Sequence, residues 1–165
     1  MASKVRVYGK AQNRTALGIM HAYLVMYPHA TMKDFEKAFP KELNPDSGWP
    51  VNFKDSKTLK TENEMGFWFK ENDEVLKLQD GTNVAVVKMW TKESFENLVA
   101  HAKQYDIEVA QFEKGQRGEK GGFRLEYLNG YVPPQKKSPI GLWLVALLVV
   151  ILLALVIFYL YSANK

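Results

Sequence analysis

The chain contains no cysteine. This excludes a disulfide framework and any thiolate metal site, and it fits a reducing compartment. Histidine is scarce: His21, His29 and His101 are the full set. They are far apart, and no HxxxH or HExxH spacing occurs, so a histidine-based metal centre or acid–base pair has little to build on. No GxSxG elbow is present. The glycines of 115–122 lack the Walker pattern and do not introduce a helix, so they read as a turn and not as a phosphate cradle. The carboxylates are numerous but never spaced as a metal loop. The N-terminal stretch has no apolar core of the kind a secretory signal needs. No internal repeat is found. The sequence therefore points to no catalytic residue, no metal site and no cofactor.

What is abundant is apolar sequence at the C-terminal end. Ile140 to Tyr161 reads IGLWLVALLVVILLALVIFYLY, without a single charged residue. As an α-helix it would span about 33 Å, against a hydrocarbon core of about 30 Å. Trp143 near one end, with Tyr159 and Tyr161 near the other, would suit the headgroup level. The expectation is a transmembrane helix over 140–161, preceded by a juxtamembrane linker (129–139) and followed by a short tail (162–165). A cytoplasmic α+β domain would fill 1–128. Localisation is then expected at a membrane as a single-pass, tail-anchored protein, on the bacterial inner membrane, with the N-terminal body in the cytoplasm.

The net charge of +4 is unevenly placed. Residues 1–113 hold 15 basic and 16 acidic side chains, whereas 114–137 hold six basic and two acidic. The surplus includes Arg117, Lys120, Arg124, Lys136 and Lys137, which reads as a surface for the headgroups of a lipid bilayer. It does not read as a nucleic-acid footprint.

Local signals order the elements. Val5 and Val7 alternate with polar residues in a short strand, placed at a sheet edge. Asn13 is positioned to cap a helix from Arg14 with Leu17, Met20, Leu24 and Tyr27 on one face, ended by Pro28. Thr31 and Asp34 have the spacing of a capping box, and the helix they start stops at Pro40. Lys41 to Glu64 shows no period, apart from a weak helical signal near Ser56–Lys60. Strands follow around Phe67–Phe69 and Leu76–Leu78. An Asp80-Gly81 turn then leads to a central strand over Asn83–Met89. Thr91 or Ser94 caps a helix with a Phe95, Leu98, Val99, Ala102 stripe. Ile107–Phe112 and Phe123–Tyr127 read as a closing hairpin. The fold class expected is α+β: a helix pair, an antiparallel sheet with a further helix packed on it, and the C-terminal transmembrane α-helix.

Two blocks, Arg14–Pro45 (ending in HATMKDFEKAFPKELNP, His29–Pro45) and Lys77–Val109 (KLQDGTNVAVVKMWTKESFENLVAHAKQYDIEV), resemble an uncharacterised small α+β module of Bacteroides-like bacteria. The marks are Ala38-Phe39-Pro40, Asp80-Gly81 with Trp90, and the helix through Phe95 to Ala102. The module would have glycine after the tryptophan and late in the helix. This chain has Thr91 and Tyr105-Asp106 there. The resemblance implies a folding unit and no activity, ligand or catalytic residue.

Trp49, Trp68 and Trp90 are the candidate ligand- or partner-binding residues, because a small domain has few places to bury three indoles. The functional expectation is a non-enzymatic sensing or interaction module. It would self-associate and answer an unknown protein or small-molecule signal, as an oligomeric membrane effector in bacterial defence. Two alternatives rank below it. One is a membrane-tethered winged-helix-like nucleic-acid binder, opposed by the mixed charge of MKDFEKAF and the cation-free Gln79–Thr82 tip. The other is a small enzyme.

Overall fold

A computed structural model describes residues 2–61, 64, 66–110, 120–134, 148–153 and 159. It divides into two units, Met1–Pro134 and Gln135–Lys165. The first is a mixed α/β domain built on two sheets.

The first sheet has the order β6-β1-β7. Strand β1 (Val5–Gly9) runs parallel to β6 (Ile107–Val109), with Val5 opposite Ile107. It runs antiparallel to β7 (Phe123–Tyr127), with Val5 opposite Tyr127. Val5 and Val7 point inward and are fully buried. Arg6 and Tyr8 take the other face, where Arg6 meets Glu108 at 2.5 Å and Glu126 at 3.4 Å. So β1 is a central strand and not an edge, and β7 returns to β1 instead of pairing back as a hairpin. Period-two alternation fixes which face of a strand is buried but not who its neighbours are.

Helix α1 (Gln12–Met26) packs on the inner face of this sheet. Ten of its fifteen residues are buried, so it is a core helix, with His21 the one polar residue beyond its first turn apart from the Tyr23 phenol. Ala11 precedes it in extended conformation and offers no capping side chain. Gly18 is required by close approach, because a Cβ there would lie 2.7 Å from Val7 Cγ1 and 3.0 Å from Phe123 Cγ. Helix α2 (Met32–Ala38) carries the capping box: Thr31 N–H donates to Asp34 Oδ2 at 2.9 Å and Asp34 N–H to Thr31 Oγ1 at 3.3 Å. That bonding holds the Asp34 carboxyl below its ordinary value.

The second sheet is arranged around β5 (Asn83–Val87), which is antiparallel to β2 (Phe53–Asp55), β3 (Trp68–Phe69) and β4 (Leu76–Lys77). The Asp80-Gly81 turn leads into β5, with Gly81 at φ 85° and Thr82 N–H donating to Asp80 Oδ1 at 2.9 Å. The weak helical signal near Ser56 is a single 3₁₀ turn, Ser56–Thr58. Helix α3 (Lys92–Ala102) starts at Thr91, whose Oγ1 accepts from Ser94 N–H at 3.1 Å. It buries Leu98 and Ala102. Its exit passes through Asp106 at φ 58°, a left-handed position that glycine would occupy with less strain.

One core lies between α1, α2, α3 and the inner faces of both sheets, with Phe35, Phe39, Phe69 and Leu98 fully or almost fully buried. The expected fold therefore needs correction in two respects. The architecture is mixed α/β with two sheets, one of them containing a parallel pair, and is not a single antiparallel layer. Among the described residues, no helix is long and apolar enough to cross a membrane. The longest helix with described ends, α1, covers about 22 Å at 1.5 Å per residue, where a crossing needs about 20 residues. Most of the 140–161 segment lies outside the described residues. The single-pass, tail-anchored reading and the inner-membrane localisation are accordingly not carried forward.

Candidate functional site: the aromatic face of the second sheet

Alternation along β5 sends Val84 and Val86 to the main core and Ala85 and Val87 to the opposite face. The register places Trp68 opposite Val87 and Phe69 opposite Val86. Phe69 thus joins the core, and Trp68 becomes the floor of a second apolar cluster with Ala85 and Val87, against which Trp49, Leu59 and Trp90 pack. The three tryptophans singled out from sequence are brought together. Trp49 stands edge-on to Trp68, with ring centroids 5.4 Å apart at 66°. Trp90 belongs to both clusters, and its indole N–H donates to Val87 O at 2.9 Å. Trp68 is fully buried, and its Nε1 has no hydrogen-bond partner among the described residues.

Lys54, which no motif or spacing singled out, also belongs to this face. Its ammonium lies 4.7 Å from the Trp68 ring centroid and 5.5 Å from that of Trp49, and it pairs with Glu64. A cation so placed gains from both ring faces. The pairing holds the Glu64 carboxyl below its usual range. Beyond Trp49 the surface stays apolar. Phe67, 45% exposed, packs 5.9 Å from the Trp49 ring. Met89, two residues past Val87, is 49% exposed. Lys88, the residue before Met89, donates its backbone N–H to Phe67 O at 2.8 Å.

The loop from Pro40 to Phe53, which presents Trp49, is held by buried polar groups. Lys41 Nζ donates to Asn44 O, to Pro45 O at 3.2 Å and to Ser47 Oγ at 2.7 Å. Burial lowers the pKa of this lysine. Asn44 Nδ2 donates to Met89 O and Asn52 Nδ2 to Pro40 O, both at 2.8 Å. These bonds fix an irregular segment that has no ladder of its own. The arrangement can bind by apolar and cation–π contact. It brings together no nucleophile and base.

The remaining candidates are not assembled into one site. Arg117, Lys136, Lys137, Trp143 and Tyr161 lie outside the described residues. Lys120 opens a 3₁₀ turn, Lys120–Gly122. Arg124 lies over the Tyr8 ring at 4.1 Å on the outer face of the first sheet. Tyr159 is helical and exposed. His101 bonds Ala38 O at 2.7 Å, His21 stacks on Phe123 at 5.2 Å, and His29 is exposed. Among the described residues, no group of three or more His, Asp or Glu could hold a metal ion.

A separate cleft of about 470 Å³ opens at the end of α1, lined by Tyr23, Tyr27, Pro28, His29 and Pro134. Burial pushes the Tyr23 phenol up to about 12 and raises Tyr105, whose ring centroid lies 5.0 Å away. The native state thus favours neutral phenols. Their contribution is intact below pH 10, where the unfolded phenol is also neutral, and is lost as pH climbs from 10 towards 12. Ultraviolet phenolate absorbance should show part of the tyrosines titrating late, with unfolding midpoints falling over the same range. Simultaneous titration of all tyrosines near pH 10 would contradict the packing described.

Comparison with protein-family models, with curated proteins and with solved structures found no match for this chain.

Proposed function

We propose that this domain is a non-enzymatic recognition module that self-associates through the aromatic face of its second sheet. The observation that carries the reading is the apolar surface of Trp49 and Phe67, standing on the buried Trp68, with the exposed Met89 two residues past Val87, and with Trp49 displayed by a loop held with buried hydrogen bonds. Exposed apolar patches of this kind mark interaction surfaces. Aromatic residues and methionine are enriched in interface cores. Lys54 and Glu64 at the rim neutralise each other, so no strong field of one sign opposes a second copy of the same surface across a two-fold axis. A nucleic-acid partner is less well served: α2 alternates Lys33 and Lys37 with Asp34 and Glu36, and Asp34 is engaged in the capping box.

The reading is tested by sedimentation equilibrium of the full chain against a Phe67→Glu variant. Phe67 is exposed, so the substitution should leave the circular dichroism unchanged. Self-association should weaken about tenfold or more, the loss of about 1.4 kcal/mol expected of an interface hot spot. Wild type that remains monomeric, or association indifferent to Phe67→Glu, would sink the proposal.

A further inference from the structure

Strand β7 lies at the edge of the first sheet, with β1 on one side and, among the described residues, no strand on the other. Hydrogen bonds in an antiparallel ladder alternate in direction, so the bonds that are made show which groups are left over. Leu128 N–H donates to Lys4 O at 2.8 Å, and Lys10 N–H donates to Gly122 O at 3.1 Å. Val5 and Val7 instead turn their polar groups towards β6. Val5 N–H donates to Asp106 O at 3.2 Å, and Val7 O accepts from Ala110 N–H at 3.0 Å. Their partners on β7, Tyr127 and Leu125, therefore aim N–H and C=O away from β1, as does Phe123, the partner of Gly9. Among the described residues, no hydrogen bond reaches these outward groups. An open edge is a template for another strand unless proline, lysine or a bulge blunts it. The strand FRLEY has neither residue, and its register on β1 runs without a bulge.

This edge fits itself. Turned about a two-fold axis through Leu125, Phe123 falls opposite Tyr127 of the second copy, Leu125 opposite Leu125, and Arg124 opposite Glu126. The outward-aimed residues then form the hydrogen-bonded pairs. Arg124 and Glu126 form the non-hydrogen-bonded pairs, where side chains come closest. Both charges stand on the outer face beside Tyr8. The Arg124 guanidinium lies 4.1 Å from the Tyr8 ring centroid, and Glu126 Oε2 accepts from the Tyr8 hydroxyl at 2.6 Å. Opposite charges directly across a strand pair are favourable, and like charges are not. Moving the axis to Arg124 or Glu126 keeps the hydrogen-bond parity but sets Arg124 on Arg124 or Glu126 on Glu126. Charge therefore selects one register, the one in which the whole of β7 is paired.

We propose that β7 is a docking edge for β7 of a second copy of this chain, antiparallel and centred on Leu125, so that two first sheets join into one. The edge uses none of the aromatic-face residues Trp49, Phe67, Trp68 or Met89, so it stands or falls apart from that face.

The test uses the full chain carrying Phe67→Glu, which removes the aromatic face as a source of association. The chain has no cysteine, so an introduced one reports alone. Arg124→Cys and Glu126→Cys proteins, mixed and oxidised, should form a disulfide-linked dimer. Directly opposed residues there have Cα atoms about 4.5 Å apart, within the roughly 4.4–6.8 Å that a disulfide spans. Either protein alone should link about tenfold less, because residue 124 and its own counterpart are diagonal neighbours about 7–8 Å apart, as are the two copies of residue 126. A second arm reads charge by sedimentation equilibrium. Arg124→Glu and Glu126→Arg should each weaken association about tenfold, since each sets like charges across both pairs. An equimolar mixture of the two should recover the parent's association, because each then opposes the other's charge. A role within one chain cannot be rescued by mixing. Should either charge variant lose the parent's circular dichroism, the cysteine arm decides. Absence of the mixed cross-link, equal linking by one cysteine protein alone, or a mixture of folded charge variants as weak as its components would each overturn the assignment. Monomers throughout would leave the edge to a strand of another protein and overturn it too.

Discussion

Replacing Glu74 with alanine should destabilise the domain by about 3–5 kcal/mol, the usual cost of leaving one member of a buried ion pair alone. Glu74 is 8% exposed, and its Oε1 lies 2.5 Å from Arg14 Nη1. Arg14 also donates to Gly121 O at 3.1 Å, and its guanidinium sits 4.5 Å from the Phe69 ring centroid. Next to this pair, Asp73 Oδ2 accepts from Gly121 N–H at 3.2 Å. One guanidinium therefore ties the start of α1 to the turn before β4 and to the turn before β7. Alanine at 74 leaves that largely desolvated cation without its counter-charge. The test is a double-mutant cycle in urea. Glu74→Ala alone should carry the large loss, whereas Arg14→Met/Glu74→Leu should lose far less, because a well-packed apolar pair removes both desolvation penalties. A single-variant loss below about 1 kcal/mol, the range of an exposed pair, would show that the two groups do not depend on each other.

Phe35→Ala should cost a similar amount by a different route. The ring is fully buried. Its centroid lies 4.4 Å from that of Phe53, 5.1 Å from Phe39 and 5.9 Å from Tyr23. Through it α2 touches both α1, at Tyr23, and the second sheet, at Phe53. Truncation loses the transfer free energy of the ring and leaves a cavity between elements that each have other anchors, for about 3–5 kcal/mol. Urea unfolding should show a lower midpoint with an unchanged slope. Phe67→Ala, at an exposed ring, should cost well under 1 kcal/mol. Equal losses at the two positions would contradict the burial assigned here.

Local signals carried well where local chemistry decides. Thr31 and Asp34 close their box because the partners are three residues apart. Asp80-Gly81 turns because glycine tolerates φ 85°. Asn83–Val87 is apolar on both faces because both faces are covered, by the main core and by the tryptophans. The three indoles could be nominated by their scarcity alone. What could not be read was pairing over distance. Nothing in Val5–Gly9 specifies a parallel neighbour at Ile107. Nor does Asn44 announce that it will bond Met89 O, 45 residues away. Lys54 was illegible for the same reason, since only the register of β2 on β5 brings it over Trp68. The apolar run at 140–161 shows the opposite limit. Composition proposes a membrane crossing, but no helix among the described residues is long and apolar enough to make one.

The placement of β1 has a consequence for biosynthesis. Its residues leave the ribosome well before its partners do, because both flanking strands begin about a hundred residues later, at Ile107 and Phe123. At about 5–20 residues per second of translation, the nascent chain holds Val5 and Val7 unpartnered for several seconds or longer. The second sheet, whose strands all fall between Phe53 and Val87, can zip up in the meantime. β1 is thus made before the second sheet and locked in after it, and a chain that stops short of Phe123 has a first sheet that cannot close.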